Sequence, residues 1–558
     1  MSASDKKKLR KEQETEVLTK RQQQEQAEAK KLKLYTTIFV TTMVLIVAVL
    51  LSVLVVRGVT NAGVSEKATI AATIGDEKIN SVVFNYYYTD AVNNYYNEQY
   101  EFYQDETDEF LLDMGLDTSK PLDEQYQDQE QTTTWADFFV QEALADAKRD
   151  YTLYNEAMAN GFELDETQKA AIDSAIENLT VWAPYYGYTS ENQYLRAIFG
   201  NGASVKSYRA YYERTQIADA YYDAHLADYT YPDEELRGYE AEENRYNNYT
   251  SFTYDSLYLS YSSFREGGTE DENGNKTYTA EENDAARAAL KVAAEELATA
   301  TTHEELHEKA EALELPDGSD ATISHNTNSL YTTFSGANAK MAEWLSSEER
   351  KEGDIGLIPI VNETEVDGQK VEQTNGYFVL HYTSKNENNE LMSNVRHLLV
   401  KFEGGEEDAT TGQTVYSEEE KAAAKAEADD YLKTWQEGEK TEESFIALVK
   451  KYSDDTTAET GGLFEDINPD SSYVSNFLNW SIDPAREAGD AEVIETEYGY
   501  HVMYYVGDDE MTYRDYMITN ELAQADQTAW YDGLMEAVTA TVGDLNKIKL
   551  DLVLSSAS

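Results

Sequence analysis

The chain has 558 residues, 41% of them hydrophobic, a formal net charge of −62 and no cysteine. Single cores rarely grow past about 250–300 residues, so several folded domains are expected. The acidic excess argues against nucleic-acid binding, which needs a basic face toward phosphate. The missing cysteine excludes disulfides, a thiolate nucleophile and a lipid-modified cysteine.

Residues 1–34 carry ten Lys/Arg against six Asp/Glu and read as a basic tail, a solvated helix or disordered. From Tyr35 to Val56 runs an uncharged stretch of 22 residues. At 1.5 Å per residue it spans about 33 Å, enough for a bilayer core of about 30 Å. The positive-inside rule places residues 1–34 in the cytoplasm and everything after Arg57 outside. A cleaved secretory signal has an apolar core of about 7–15 residues, so an uncleaved single-pass anchor in the cell membrane is expected.

Residues 58–67 read as a linker. Ala71 to Ile79 reads as a hairpin turned at Gly75-Asp76, and Ser81 as the N-cap of a helix whose Phe84 and Tyr88 share a face. Helical periodicity dominates from Thr134 to Glu243. One helix ends near Gly161, Asp165 caps the next, Gly200-Asn-Gly202 interrupts, and Pro232 starts another. The tyrosine clusters Tyr86-Tyr-Tyr88, Tyr211-Tyr212 and Tyr221-Tyr222 fit either packing between helices, the stronger expectation, or the lining of a client groove. This strand-turn-helix opening and helical body, residues 68–247, resemble the N-terminal chaperone lobe of the PrsA and SurA type of extracytoplasmic foldases. The resemblance implies a C-terminal helix that returns to complete the lobe. Thr512 to Ala540 is a helical stretch within residues 510–555, the segment assigned that place.

An internal repeat follows. Tyr254-Asp-Ser-Leu-Tyr-Leu-Ser-Tyr261 matches the strand around His397. Tyr278-Thr-Ala-Glu-Glu matches Tyr416-Ser-Glu-Glu-Glu, Trp344 to Asp354 matches Trp480 to Asp490, and Gly376-Tyr-Phe-Val-Leu-His-Tyr382 matches Gly499-Tyr-His-Val-Met-Tyr-Tyr505. In the second copy, Asn394-Val-Arg-His-Leu-Leu-Val-Lys-Phe402 reads as a strand carrying His397. A helix ending in Tyr452-Ser-Asp-Asp455, a Gly461-Gly462 turn and the strand Thr496-Glu-Tyr-Gly-Tyr-His-Val-Met-Tyr-Tyr505 follow. That order resembles the parvulin family of peptidyl-prolyl isomerases. The expected fold is therefore α+β, with a transmembrane helix, a helical lobe and two tandem parvulin-like α/β domains, residues 248–385 and 390–508.

The resemblance implies a site in the second copy. His397 and His501, two of only seven histidines, would be the paired core histidines. Asp455 would stand where family members carry Cys or Asp and act electrostatically on a twisted carbonyl. Thr496 and Tyr498 match hydroxyl positions, and Leu463, Tyr473 and Phe477 the apolar wall for a proline ring. The loop Phe464 to Tyr473 departs from the family's Gly-rich pattern, and Glu465, Asp466 and Asp470 make the rim acidic. In the first copy Leu259 aligns with His397 and Phe378 with His501, so that copy is expected to be catalytically silent. His303 and His307 stand at i,i+4, but with no third ligand in view a metal site is not expected. The segment Thr269 to Lys276 lacks the Glu that a calcium loop needs at its twelfth position and reads as a hairpin turn. The acidic loop Glu403 to Thr414 stands at the same point of the second copy.

The expected activity is that of a membrane-anchored extracytoplasmic peptidyl-prolyl cis/trans isomerase and chaperone without metal or other cofactor. Its partners would be unfolded or nascent exported chains containing X-Pro bonds, with a homodimer left open. The alternatives are a catalytically silent holdase and a surface adhesin or scaffold.

Overall fold

The computed structural model describes residues 2–103, 115–117, 120–128, 130–271, 274–366, 369–407 and 414–550. The chain divides into two compact units, Met1–Asp228 with Ala525–Ser558, and Tyr229–Gln524.

The first unit opens with one helix, Ala3–Asn61. Its part Lys30–Asn61 is long and apolar enough to cross a membrane, and none of its most apolar window is buried in the protein. The expected linker over 58–67 is replaced by the end of this helix and a short helix, Val64–Ala68. Val59 and its neighbours include no proline to stop the first helix, which breaks only near Gly63, held at φ 61°.

Strands Ile70–Ile74 and Glu77–Asn80 form the hairpin expected at Gly75-Asp76. Helix Ser81–Tyr103 follows, but its cap is Asn80 rather than Ser81. The Asn80 carboxamide oxygen accepts the backbone N–H groups of Val82 at 3.0 Å and Val83 at 3.2 Å. Helices Trp135–Ala159, Glu166–Tyr185, Glu191–Phe199 and Val205–Ala227 build the rest of the lobe. Asp165 and Ser204 cap two of them through reciprocal capping boxes. Tyr86, Tyr87, Tyr88 and Tyr211 are core residues, with Tyr86 stacked on Tyr211 at 5.1 Å, so these four pack helices.

The C-terminal helix is Tyr513–Ala537. Its Trp530 stacks on His225 at 3.7 Å, and Gln527 donates to the Tyr222 carbonyl oxygen at 2.8 Å. The helical reading through Ala540 ends three residues early. Val538, Thr539, Thr541 and Val542 are β-branched and favour extended backbone, and Ala540–Val542 pairs antiparallel with Ile70–Ile74. Residues 551–555 of the expected C-terminal segment lie outside the described residues.

The second unit holds two four-stranded antiparallel sheets with the same strand order. Along the sheet they run Ser324–Leu330, Ser251–Ser260, Gln369–Asn386, Ile355–Val366, and Leu463–Ile467, Leu391–Lys401, Gly499–Thr512, Ala491–Thr496. Each sheet carries two longer helices on one face, Ala280–Leu297 with His303–Glu311 and Glu418–Glu437 with Glu442–Tyr452. Small details repeat as well. Glu282 and Glu420 close capping boxes and also accept from the backbone N–H of Gly268 and Gly405. Arg350 lies over Trp344 at 4.7 Å, and Arg486 over Trp480 at 4.4 Å.

The register corrects one alignment. His397 faces Met503 across the central pair, and with Gly376 set against Gly499 the same place in the first sheet is Ser256, facing Leu380. Leu259 falls at the place of Val400, three residues away. Phe378 does stand where His501 stands. Thr269–Glu270 pairs with Lys276–Thr277 as a hairpin, and Glu406–Glu407 pairs with Thr414–Val415. The tips of both acidic loops, 272–273 and 408–413, lie outside the described residues.

Candidate functional site

Alternation along the central strands decides which side chains meet. Leu398, Val400 and Phe402 point to the face covered by the two long helices, with Tyr500, Val502 and Tyr504. Val395 and Met503 point to the other face, toward Phe477 and Trp480 of helix Ser475–Ser481. His397 and His501 sit on that second face, and both rings lie edge-on to Phe477 at 5.5 and 5.8 Å.

The two imidazoles are buried, 2% and 5% exposed, and stack with planes 17° apart. Their Nδ1 atoms are 2.8 Å apart. His501 Nε2 lies 2.8 Å from Thr496 Oγ1, and His397 Nε2 lies 3.6 Å from Asp455 Oδ1. Burial above all, and then the charge of His397, pushes His501 down to about 3, against the opposing pull of Asp455. A neutral His501 and a carboxylate beside His397 Nε2 allow a donor order in which no lone pair faces another. Thr496 donates to His501 Nε2, His501 Nδ1–H donates to His397 Nδ1, and His397 Nε2–H points at Asp455.

Asp455 is held by the segment that precedes it. Where the outer edge of the His397 strand lacks a partner strand, this segment takes its place. Ser453 Oγ accepts the Leu399 N–H at 3.1 Å, the Asp454 N–H donates to the Leu399 carbonyl oxygen at 2.9 Å, and Asp454 Oδ2 accepts the Lys401 N–H at 3.0 Å. Asp455 then caps the turn Thr456–Thr460, accepting from the Thr457 N–H at 2.8 Å and the Thr457 hydroxyl at 2.6 Å. Its carboxyl sits well below the usual carboxylate range, held there first by His397 and then by Thr457, against the effect of burial. It is therefore ionised at neutral pH.

The Gly461-Gly462 turn allows the next strand to close in. Gly462 has φ 65°, and a Cβ there would lie 2.2 Å from the His397 carbonyl oxygen. The Gly462 carbonyl oxygen accepts the His397 N–H at 2.9 Å. Arg396 Nη1 donates to the Gly461 carbonyl oxygen at 3.0 Å while its Nε pairs with Glu442 at 2.7 Å.

The apolar wall differs from expectation by one residue. Leu463 pairs with Arg396 and so points to the helix-covered face, whereas Phe464 pairs with Val395 and points to the histidines. A shift of one residue along a strand reverses the face. Phe464 lies edge-on to His397 at 5.0 Å, with Tyr473 and Phe477 at 5.4 and 5.5 Å from it. Tyr473 is 37% exposed and forms the open side of this wall. Tyr498 also departs from expectation. Its side chain is 57% exposed in the turn before the His501 strand, and it contributes instead its backbone N–H, 3.2 Å from Thr496 Oγ1. Thr457 and Phe464 are absent from the sequence-derived site. Period-2 alternation after the Gly-Gly turn signals Phe464, and the Asp-x-Thr spacing of an Asx turn signals Thr457.

On the rim, Asp466 adopts φ 56° and its N–H donates to Asn394 Oδ1 at 3.0 Å. Burial raises Asp466 to about 6, reinforced by Asp509 and then Glu465.

Residues 397–507 match the family model described as Rotamase, the PPIC-type PPIASE domain. Three solved structures are similar to parts of this chain. The PPIase domain of TBPAR42 is 21% identical, covering 20% of this chain and 98% of that one, with a TM-score of 0.17. Peptidylprolyl isomerase PrsA from Bacillus anthracis is 16% identical over 27% of this chain and 59% of that one, with a TM-score of 0.16. PrsA from Bacillus subtilis is 11% identical over 75% of this chain and 92% of that one, with a TM-score of 0.25. No curated protein matches the sequence.

Proposed function

We propose that this chain, which carries a PPIC-type peptidyl-prolyl cis/trans isomerase domain over residues 397–507, is a membrane-anchored foldase for exported proteins. The observation that carries the reading is the unbroken line Thr496, His501, His397, Asp455 beside the wall of Phe464, Tyr473 and Phe477.

Rotation about an X-Pro bond faces a barrier of about 18–20 kcal/mol because the amide loses its resonance. No bond breaks, so the site needs neither a nucleophile nor a metal. It must favour the twisted amide over the planar one, and each 1.4 kcal/mol or so of that preference gives a tenfold rate. The aromatic wall takes the proline ring. The Asp455 carboxylate, at the lip of the pocket, faces the carbonyl carbon, which becomes more electron-poor as conjugation is lost. The histidine pair holds Asp455 in place. Thr496 sets the orientation of His501. Tyr498 acts through its backbone only.

The apolar part of the N-terminal helix anchors the chain, with the basic residues 1–34 on the cytoplasmic side and the rest outside. The sheet around Asp255 has Ser256 and Phe378 at the histidine positions and is a silent copy of the isomerase fold. The helical lobe binds clients. It offers a cleft of about 550 Å³ lined by Met158, Phe162, Leu164, Ile172 and Ile217. Uncatalysed X-Pro isomerisation takes tens to hundreds of seconds, slow enough to limit folding after export.

The test is exchange of an X-Pro peptide by the whole protein, compared with its Asp455→Asn variant. A rate for the wild type no faster than the uncatalysed one would overturn the isomerase reading of the site.

A further inference from the structure

Five of the seven histidines are unused by the isomerase site, and four of them gather around the other sheet. Their centre is Asp255, which is fully buried. Its Oδ2 lies 2.6 Å from His303 Nδ1 and its Oδ1 lies 2.6 Å from His325 Nδ1. His381 Nδ1 stands 3.2 Å from Oδ2 and makes no hydrogen bond. His307, one turn along the helix from His303, packs its ring 4.2 Å from that of His303, and its buried Nε2 has no partner.

The second sheet shows what this place looks like without the histidines. By register Asp255 occupies the position of Arg396. His325 pairs with Asp255 as Leu463 pairs with Arg396, and His381 pairs with it as Tyr504 does with Arg396. His303 follows the capping Thr302 as Glu442 follows Thr441. The Arg396–Glu442 ion pair of one copy is thus replaced in the other by a carboxylate ringed with imidazoles. Three independent segments contribute them, two strands and a helix start.

We propose that Asp255, His303 and His307 bind a divalent transition-metal ion, Zn²⁺ foremost, with His325 and His381 steadying the carboxylate. One ligand atom from each of the three residues lies within 4.8 Å of the other two. Zinc donors stand about 2.0–2.2 Å from the ion, so the three close onto it with shifts under about 1 Å. Two imidazoles and one carboxylate suit Zn²⁺, Ni²⁺ or Co²⁺ and poorly suit Ca²⁺ or Mg²⁺, which prefer all-oxygen shells. The orphaned Nε2 of His307 gains a partner by coordination. His307 also lines a cleft of about 380 Å³ with Glu311 and Asp320, which gives an ion a way in. The bound ion ties helix His303–Glu311 to the strand Ser251–Ser260. That gives the sheet without isomerase chemistry a metal-dependent stability of its own.

The experiment titrates Co²⁺ and then Zn²⁺ into the whole untagged protein in detergent. The expected result is one Co²⁺ per chain with the strong visible absorption of a four-coordinate ion, displaced by Zn²⁺, and a raised thermal midpoint. His303→Ala and His307→Ala should each weaken Zn²⁺ at least tenfold, and His325→Ala should weaken it by a smaller factor. Asp255→Asn should abolish binding. Because Asp255 is fully buried, the half-buried His307 keeps the test valid if the Asn variant does not fold. His225→Ala, in the helical lobe, should bind as the wild type does. Absence of the four-coordinate spectrum, or equal affinity in the wild type and His307→Ala, would overturn the proposal. So would a loss in His225→Ala as large as in His307→Ala.

Discussion

The sheet around His397 and the sheet around Asp255 share strand order, register, capping boxes and a Trp–Arg stack. They differ in the face that carries their histidines. In one, His397 and His501 point away from the long helices and meet Phe477. In the other, His303, His325 and His381 converge on Asp255 at the helix-covered face. Two chemistries are therefore mounted on one frame by strand parity. A histidine at an odd step from Gly499 or Gly376 along the closing strand faces the helices, and at an even step it faces the aromatic wall. His501 is two steps on and His381 five.

The two sheets would differ least in function if the one around Asp255 also isomerised X-Pro bonds. His397→Ala in the whole protein is expected to lower X-Pro exchange by about a hundredfold, about 2.7 kcal/mol of barrier. It should also cost about 1–3 kcal/mol of stability, because the buried Nδ1 of His501 is left unpaired. Peptide exchange and urea unfolding measure the two effects. Substantial remaining exchange would place activity in the Asp255 sheet.

Asp455→Asn keeps the shape of the turn and removes the charge. Turnover should fall about tenfold to a hundredfold, and the urea midpoint should fall with it, since the depressed carboxyl shows that the folded state favours this charge. Full turnover in this variant would remove the electrostatic role.

The parity argument is sharpened by adjacent residues. Phe464→Ala should raise KM for an X-Pro peptide several-fold, and Leu463→Ala, one residue earlier on the opposite face, should leave KM near the wild-type value. The reverse pattern would return the proline wall to Leu463.

Acid should act on the second sheet through His501. Its folded value of about 3 lies below the ordinary 6.5. The unfolded chain therefore binds the extra proton first, and stability is full above pH 6.5 and is lost as pH falls toward 3. Asp466 has the opposite sign and a smaller effect because it is partly open to solvent. Its folded value of about 6 lies above the ordinary 3.8, so stability declines as pH rises from about 4 to 6. Thermal midpoints across pH 3–8 for the wild type and Asp466→Asn separate the two. An unchanged profile in that variant would mean that neither burial nor Asp509 raises Asp466.

Much of this molecule was legible in one dimension. The apolar run after a basic tail, the Gly75-Asp76 hairpin, the Asp165 cap and the repeat rest on local rules, a run length, a turn dipeptide, a side-chain cap or a recurring motif. Each is decided by residues close together in the chain. That His397, Asp455 and His501 lie together was readable because their motifs stand in a recognisable order.

What tertiary structure alone decided involves parity and partners from distant segments. Whether Leu463 or Phe464 faces the histidines depends on the register of pairing with Arg396 and Val395, and a one-residue slip reverses the face. The place of Ser256 was misread as Leu259 because similar runs of Leu, Tyr and Ser align at several offsets, whereas backbone pairing admits one. Residues 540–542 became strand because the exposed edge of Ile70–Ile74 offered hydrogen bonds that an isolated helix end does not. The ligand missing beside His303 and His307 was Asp255, 48 residues from His303 in sequence and 2.6 Å away in space. No spacing rule reaches that far, because only the closed sheet brings the middle of the strand against the helix start.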